Sequence, residues 1–338
     1  MKVLVTGGAG FIGSAFVRML LREALAERVT NLDKLTYAGN LENLRELNSD
    51  ARYRFVRGDI CDAALVDSLL AEEGPDAIVH FAAESHVDRS ILSAQPVFET
   101  NLRGTFVMLE AARLHRTARF IHISTDEVYG SLAHPNRAEE SFALRPSSPY
   151  SASKAGSDLL ALSYFTTYGL PVIVTRSSNN YGPFQFPEKL IPMMIANALA
   201  DQTLPIYGDG LQIREWLHVD DHCRAVVAIL RGAKVGSIYN IGADEAMTNL
   251  EVVGRILKLV DKPRSLLKTV TDRPGHDRRY AISSEKIRAE LGWRPSIRFD
   301  EGLSETVRWY RDNSGWTERV KTGQYKAYYE QQYGSRIG

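Results

Sequence analysis

Met1-Lys-Val-Leu-Val-Thr6 runs without a break into Gly7-Gly-Ala-Gly10-Phe-Ile-Gly13, and this junction decides the fold. The apolar run Val3-Leu-Val5 predicts a buried parallel strand, and the glycines behind it predict a tight turn straight into a helix. Glycine at 7, 10 and 13 allows the turn, lets backbone N–H groups approach a pyrophosphate, and lets the helix lie close on the strand. The spacing is G-x-x-G-x-x-G, one residue away from the G-x-G-x-x-G fingerprint, so it needs support from its surroundings. Arg28-Val-Thr-Asn-Leu-Asp33 supplies it: a second strand ending in an acid twenty residues after Gly13, where a carboxylate can bind both ribose hydroxyls. An acid there repels a 2′-phosphate. The expected dinucleotide is NAD rather than NADP, with Lys34 next door working against the exclusion.

Outward from this junction, strand-like runs at 2–6, 29–32, 53–57, 77–82, 119–123 and 171–177 alternate with helical patterns at 12–25, 62–72, 97–115 and 149–167. Alternation of this kind predicts an α/β fold, a Rossmann-type doubly wound parallel sheet occupying residues 1–178. The pattern breaks at Asn179. Pro183, Pro187, Pro192 and Pro205 then punctuate shorter elements, and Thr248-x-x-Glu251 reads as a capping box opening a helix over 249–260. Residues 179–330 are expected to form mainly a smaller α/β substrate domain, with a segment near 212–240 returning to the first.

The 338 residues are 44% hydrophobic, enough for one large core or two modest ones. Lysines plus arginines equal aspartates plus glutamates at 41 each, so no global field draws the chain to nucleic acid or to a membrane surface. No run is long enough for a membrane span, and the chain opens directly on a strand, so the expected location is the cytoplasm. Cys61 and Cys223 stand in unrelated contexts, and His86 and His276 lack companions at ligand spacing. No metal site is expected.

Chemistry enters after the fifth strand-like run. Phe120-Ile-His-Ile123 is followed by Ser124-Thr-Asp-Glu-Val-Tyr-Gly130, which sets a hydroxyl and two adjacent acids at a strand end. Like charges so close resist joint ionisation, so one can stay protonated as an acid while the other acts as a base. Such a division suits an elimination, although Thr125 could equally cap a solvated turn. Further on, Tyr150-Ser-Ala-Ser-Lys154 puts a phenol and an ammonium on one helix face. The ammonium is expected to lower the phenol's pKa so that it can take a proton from a sugar hydroxyl. In the second half, Lys189, Arg214, Arg273, Arg278 and Arg279 offer cations for a diphosphate, with surface ion pairing as the alternative for Arg278 and Arg279. Tyr207 offers a ring for stacking a base.

Together Thr6-Gly-Gly-Ala-Gly-Phe-Ile-Gly13 and Tyr150-x-x-x-Lys154 resemble the extended short-chain dehydrogenases, and Thr125-Asp-Glu-Val-Tyr-Gly130 resembles their nucleotide-sugar 4,6-dehydratase branch. Asp33-Lys-Leu-Thr-Tyr-Ala-Gly-Asn40, Ala82-Ala-Glu-Ser-His-Val-Asp-Arg-Ser90, Ser178-Asn-Asn-Tyr-Gly-Pro183, Phe186-Pro-Glu-Lys-Leu-Ile-Pro192 and Arg273-Pro-Gly-His-Asp-Arg-Arg-Tyr280 are similar to members acting on dTDP-glucose. By that resemblance Thr125 binds the C4 oxygen, Asp126 protonates the departing C6 hydroxyl, Glu127 removes the C5 proton, Tyr150 is the C4 base and Lys154 assists it. The resemblance implies NAD contacts at Gly7, Gly10, Phe11, Ile12, Gly13, Asp33, Lys34, Leu35, Thr36, Asp59, Ile60, Phe81, Ala82, Ala83, Ser85, Thr100, Tyr150, Lys154 and Asn180. It implies substrate contacts at Ser85, Thr125, Asn179, Lys189, Leu190, Pro205, Ile206, Tyr207, Arg214, Asn249, Asp272, Arg273, Pro274, Gly275 and His276. It also implies a homodimer. Two departures stand out: the stretch from Tyr129 to Tyr150 is short, and Gln212-Ile-Arg-Glu-Trp216 has glutamate where aspartate is usual. A nucleotide-sugar epimerase or decarboxylase, a dehydrogenase that releases NADH and a silent NAD-binding regulator are the rivals. An epimerase needs no acid pair after Thr125, a decarboxylase needs a second-domain cation placed for a C6 carboxylate, and a regulator has no reason to keep Thr125, Asp126, Glu127, Tyr150 and Lys154 together.

Overall fold

Val3 and Val5 face one way and Leu4 the other, and all three are buried, because the strand they form is covered by helices on both sides. The computed structural model describes residues 1–321 and 323–334. Its strands are β1 (Lys2–Thr6), β2 (Arg28–Asp33), β3 (Tyr53–Arg57), β4 (Ala77–His80), β5 (Arg119–Thr125), β6 (Val172–Ser177), β7 (Asn179–Tyr181), β8 (Leu204–Tyr207), β9 (Ile213–His218), β10 (Ile238–Ile241), β11 (Ala246–Thr248) and β12 (Leu267–Val270). Seven of them build one parallel sheet in the order β10-β6-β5-β4-β1-β2-β3. The winding reverses between β1 and β4, and a crevice at the carboxyl ends of those strands is where such sheets bind ligands.

On one face, helices Phe11–Arg22 and Val219–Gly232 seal a core containing Phe16, Leu20, Val226 and Ile229. On the other, helices Ala63–Glu73, Thr105–Leu114 and Pro149–Tyr168 seal a core containing Leu69, Met108, Phe120 and Val174. The chain from Val219 to Ile241 packs on the large sheet, whereas β9 just before it belongs to a three-stranded sheet ordered β11-β9-β7. That sheet, the β12-β8 pair and helices Leu190–Leu199, Asn249–Val260 and Phe299–Asp312 enclose a separate core around Tyr181, Met194, Trp216 and Leu303. Thr248 and Glu251 form the capping box expected at the start of Asn249–Val260.

Two local differences from the expected elements bear on the site. Strand β4 stops at His80; Phe81 still gives its N–H to the Thr6 carbonyl at 3.1 Å, and Phe81 and Ala82 line the crevice. The expected helix over 97–115 runs from Gln95 to Leu114 with a π segment, Glu99–Gly104, inside it. That wider turn places Asn101 to grip Glu84, accepting from its N–H at 2.9 Å and donating to its carbonyl at 3.0 Å, while donating to Ser153 at 2.9 Å. Insertions of this kind cluster at working sites, and periodicity alone does not reveal them.

Candidate active site

A cavity of about 430 Å³ opens at the carboxyl ends of β1, β2, β4 and β5. All five expected catalytic residues, Thr125, Asp126, Glu127, Tyr150 and Lys154, line it. So do Gly7, Gly10, Phe11, Ile12, Gly13, Asp33, Lys34, Thr36, Asp59, Ile60, Phe81, Ala82, Ala83, Ser85, Thr100 and Asn180. Leu35 is not among the lining residues; it gives its backbone N–H to Asp33 at 2.8 Å. Of the expected substrate contacts, Ser85, Thr125, Asn179 and Lys189 reach this cavity.

The glycine turn fits a dinucleotide by what it lacks. Gly7 has φ +70°, and a β-carbon there would stand 2.6 Å from the Ala82 nitrogen; one on Gly13 would stand 2.3 Å from the Gly7 carbonyl oxygen. Helix Phe11–Arg22 starts from Gly10 with no side-chain cap, so its first N–H groups are left for a pyrophosphate. Asp33 braces the turn, its carboxylate accepting from the Ala9 N–H at 2.9 Å. Burial raises the Asp33 pKa, and the two backbone donors act against that rise. Lys34 pairs with Asp59 at 2.6 Å, which partly neutralises the cation that would otherwise welcome a 2′-phosphate.

The two acids after β5 occupy different electrostatic settings. Asp126 is buried, and its pKa is pushed well up, by burial first and then by the charges of Glu127 and Glu215. Burial also raises Glu127, but Arg273, Arg214 and Lys189 all pull it back toward the ionised form. Asp126 is thereby suited to hold a proton and Glu127 to accept one. Burial matters more than the mutual repulsion expected from the sequence. Thr125 does cap the turn, accepting from the Glu127 N–H at 3.3 Å, and it also hydrogen-bonds the Tyr150 phenol.

One expected relation does not hold. Lys154 donates to the Ile123 carbonyl at 2.7 Å, and the Tyr150 pKa is raised, by burial and then by the charge of Glu127, with no counteracting effect from Lys154. Lys154 itself is lowered to about 8 by burial, with Asp158 alone opposing. Helix spacing puts the two side chains on one face, but the ammonium goes to the Ile123 carbonyl of β5.

Leu190, Pro205, Ile206, Tyr207, Arg214, Asn249, Asp272, Arg273, Pro274, Gly275 and His276 lie outside the cavity lining. They are joined to it through Arg214 and Arg273, whose charges act on Glu127. Lys189 donates to the Ser85 carbonyl at 2.6 Å; Arg214 lies over the Tyr280 ring at 4.1 Å and donates to the Asp277 carbonyl at 2.9 Å. His276 bonds Asp272 at 2.6 Å, in a turn where Gly275 has φ +63°. Buried Oδ1 atoms of Asn179 and Asn249 have no hydrogen-bond partner within the protein, as expected of groups that meet a ligand, while Nη1 of Arg273 is ion-paired with Asp88 at 3.3 Å. Arg278 instead pairs with Asp209 at the surface at 2.8 Å, and Arg279 donates to the Asn136 carbonyl at 2.6 Å.

The short stretch after Tyr129 has a definite place. Ala138 exchanges backbone hydrogen bonds with Ala281 and Ser283 at 2.9 and 2.8 Å, and Arg137 reaches the unusual Glu215 at 2.6 Å. Glu215 is fully buried, which lifts its pKa to about 7. Sequence reasoning missed Asp88, Arg89 and Glu188, three charged residues at the join between the two parts. Arg89 pairs with Glu188 at 2.9 Å and sits between the rings of Tyr37 and Tyr328, 4.0 and 4.1 Å from their centres. All three stand inside segments already singled out, but nothing in their spacing says that Arg89 meets Glu188.

The model of the GDP-mannose 4,6 dehydratase family matches residues 4–306. This chain belongs to that family. A dTDP-glucose 4,6-dehydratase of Shigella flexneri is 51% identical, over 99% of this chain and 100% of its own. One from Streptomyces niveus is 54% identical, over 95% of this chain and 96% of its own. Among solved structures, the dTDP-glucose 4,6-dehydratase DesIV of Streptomyces venezuelae, with NAD and dTDP bound, superposes with a TM-score of 0.93 at 53% identity, covering 95% of this chain and all of that one. A Thermus thermophilus UDP-glucose 4-epimerase in complex with NAD shares the architecture at TM-score 0.86 but only 34% identity, over 93% and 100% of the chains. Fold alone does not separate these activities. The acid pair and the higher identity do. Among the described residues no helix is long and apolar enough to cross a membrane.

Proposed function

We propose that this protein is an NAD-dependent dTDP-glucose 4,6-dehydratase, a hydro-lyase forming dTDP-4-keto-6-deoxyglucose. The observation that carries the reading is one cavity in which a bare glycine turn faces a pair of buried acids, both raised by burial, with Glu127 drawn back toward the ionised form by Arg273, Arg214 and Lys189. NAD, when bound, supplies the redox chemistry, withdrawing hydride from C4 and giving it back at C6. Gly7, Gly10, Gly13 and the first N–H groups of helix Phe11–Arg22 would hold its pyrophosphate, and Asp33 its ribose.

The chain's own groups move the protons. Thr125 steadies the C4 oxygen while Tyr150 takes the C4 hydroxyl proton; with Tyr150 raised by burial and Glu127, this transfer depends on cationic charge brought close to the phenol. A ketone at C4 acidifies the C5 hydrogen, which Glu127 takes. Neutral Asp126 gives its proton to the C6 hydroxyl, which departs as water, and once hydride has returned to C6 the protonated Glu127 gives a proton back at C5. Lys189, Arg214 and Arg273 would hold the diphosphate and Tyr207 the base; Asn179 and Asn249 have free acceptors for polar groups of the substrate.

The substrate with deuterium at C4 is expected to give a product labelled at C6, without net change in NADH absorbance. Label recovered at C4 would indicate an epimerase, and label on released cofactor a simple dehydrogenase; either sinks the assignment. The homodimer is part of the same proposal. Helices Gln95–Leu114 and Pro149–Tyr168 pack closely where Gly156 meets Leu102, and they leave Phe98, Phe106 and Leu159 exposed, an apolar face suited to a second copy. A cytoplasmic location is in keeping with a nucleotide-sugar substrate.

A further inference from the structure

Asp88 opens helix Val87–Leu92, directly after the loop that carries Ala82, Ala83 and Ser85, and it is buried. Its Oδ2 accepts from the Tyr207 hydroxyl at 2.9 Å and from the Gln332 amide at 3.2 Å. Oδ1 faces Arg273 Nη1 at 3.3 Å. Gln332 also donates to the Tyr207 oxygen at 2.6 Å, closing a triangle. Three segments distant in sequence, β8, the turn at Arg273 and the segment Glu330–Gly334, thus converge on one carboxylate that belongs to the cofactor side.

A buried carboxylate with several partners fixes their orientation, because every competing arrangement leaves a charge or a donor unsatisfied. Tyr207 has its ring set by where its hydroxyl is held, and Arg273 has its guanidinium held by the ion pair. We propose that Asp88 is a positioning residue for the nucleotide subsite: it presets Tyr207 and Arg273 for the nucleoside diphosphate half of the substrate, and Gln332 completes the same wall from the end of the chain. The inference rests on the nucleotide-sugar reading above. It makes affinity for the nucleotide depend on a residue of the cofactor half that touches neither the reacting sugar nor the dinucleotide.

The test is calorimetric titration of the full-length protein with dTDP and, separately, with NAD, beside steady-state kinetics. Asp88→Asn keeps the size of the side chain and removes its charge. It is expected to weaken dTDP binding by about tenfold, as loss of a charged hydrogen-bond acceptor does. NAD affinity should be unchanged and KM should rise with little change in kcat; Asp88→Glu should recover part of the loss. If Asp88→Asn does not fold, Gln332→Leu removes one arm of the triangle and is expected to weaken dTDP a few-fold, again sparing NAD. Unchanged dTDP affinity in the folded Asp88→Asn protein, or in Gln332→Leu where that is the variant measured, overturns the proposal. Equal losses for dTDP and NAD also overturn it, since they report general damage. A parent protein that ignores dTDP altogether would sink the nucleotide-sugar reading itself, and this inference with it.

Discussion

The cofactor side and the nucleotide side of this molecule are built by different means. On the cofactor side the positions are set by main chain: Gly7, Asp33, Phe81 and Thr125 fall at the ends of adjacent parallel strands, and the turns between strand and helix shape the wall. On the proposed nucleotide side Lys189, Tyr207, Arg214, Asn249 and Arg273 come from separate short elements, and side-chain pairs hold them, among them Tyr207 with Asp88 and Arg214 with Tyr280. A wall made of backbone survives the loss of most single side chains. A wall made of pairs does not. The acids Asp126 and Glu127 lie where the two meet, placed by the end of β5 and given their protonation preferences partly by cations of the other side.

The largest effect should come from that junction. Asp126→Asn and Glu127→Gln each preserve shape and remove one proton-transfer partner, so turnover is expected to fall by about 10²–10⁴-fold while NAD binds as before. Oxidation at C4 should persist, so reduced cofactor builds up on the enzyme and is visible by absorbance. Parent-rate dehydration in both variants would show that the acids are a capped turn and nothing more. The pH profile sharpens the point. A base must be ionised to act, and the Glu127 pKa is raised, so kcat should fall as pH drops through a value above the ordinary glutamate range. Glu127→Gln should lose that limb.

The legibility of the two sides in the sequence follows the same division. β1 coincides with the expected run at 2–6 because a strand buried on both faces reads as a plain apolar segment and the glycine turn behind it leaves a residue-level signature, whereas β3, a half-buried edge strand, coincides with 53–57 through Tyr53, Phe55 and Val56. The π segment at Glu99–Gly104 was hidden, since one wide turn does not disturb the apolar pattern around it. Asp88, Glu188 and the wholly buried Asp158–Arg176 pair, 2.8 Å apart, were hidden for a different reason: their meaning lies in partners up to a hundred or more residues away, and a charge in a sequence looks the same exposed or buried. Lys154 lines the cavity, and its ammonium is held by the Ile123 carbonyl, because helical spacing says which face a side chain shares and not which acceptor it finds.

A smaller effect tests whether the cofactor wall really is main chain braced by one carboxylate. Dissociation constants for NAD and NADP should differ on the order of a hundredfold in the parent, since a 2′-phosphate would approach Asp33 against like charge. Asp33→Asn should narrow the ratio by about tenfold while weakening NAD as well, because the Ala9 N–H loses a charged acceptor. Asp59→Asn leaves Asp33 alone and frees Lys34, which is mostly exposed, so it should improve NADP only modestly. Equal affinity of the parent for both cofactors would remove Asp33 from the recognition of ribose.

The smallest effect belongs to a residue that sequence alone left undecided. Arg278 follows the Arg273–His276 turn closely enough to have been a diphosphate ligand, but its guanidinium pairs with Asp209 and both side chains are about half exposed. Exposed pairs of this kind are screened by water and salt and contribute little. Arg214, by contrast, is buried beside Tyr280, and its charge acts on both Asp126 and Glu127. Arg278→Ala should therefore leave KM and kcat within about twofold of the parent, whereas Arg214→Ala should raise KM by tenfold or more, as loss of a buried charged hydrogen-bond donor does. Steady-state kinetics at low and high salt separates the two, because only an exposed charge loses its influence as salt rises. If Arg278→Ala costs as much as Arg214→Ala, the diphosphate lies further toward the surface than the buried cations indicate, and the boundary of the nucleotide side has to be redrawn through Asp209.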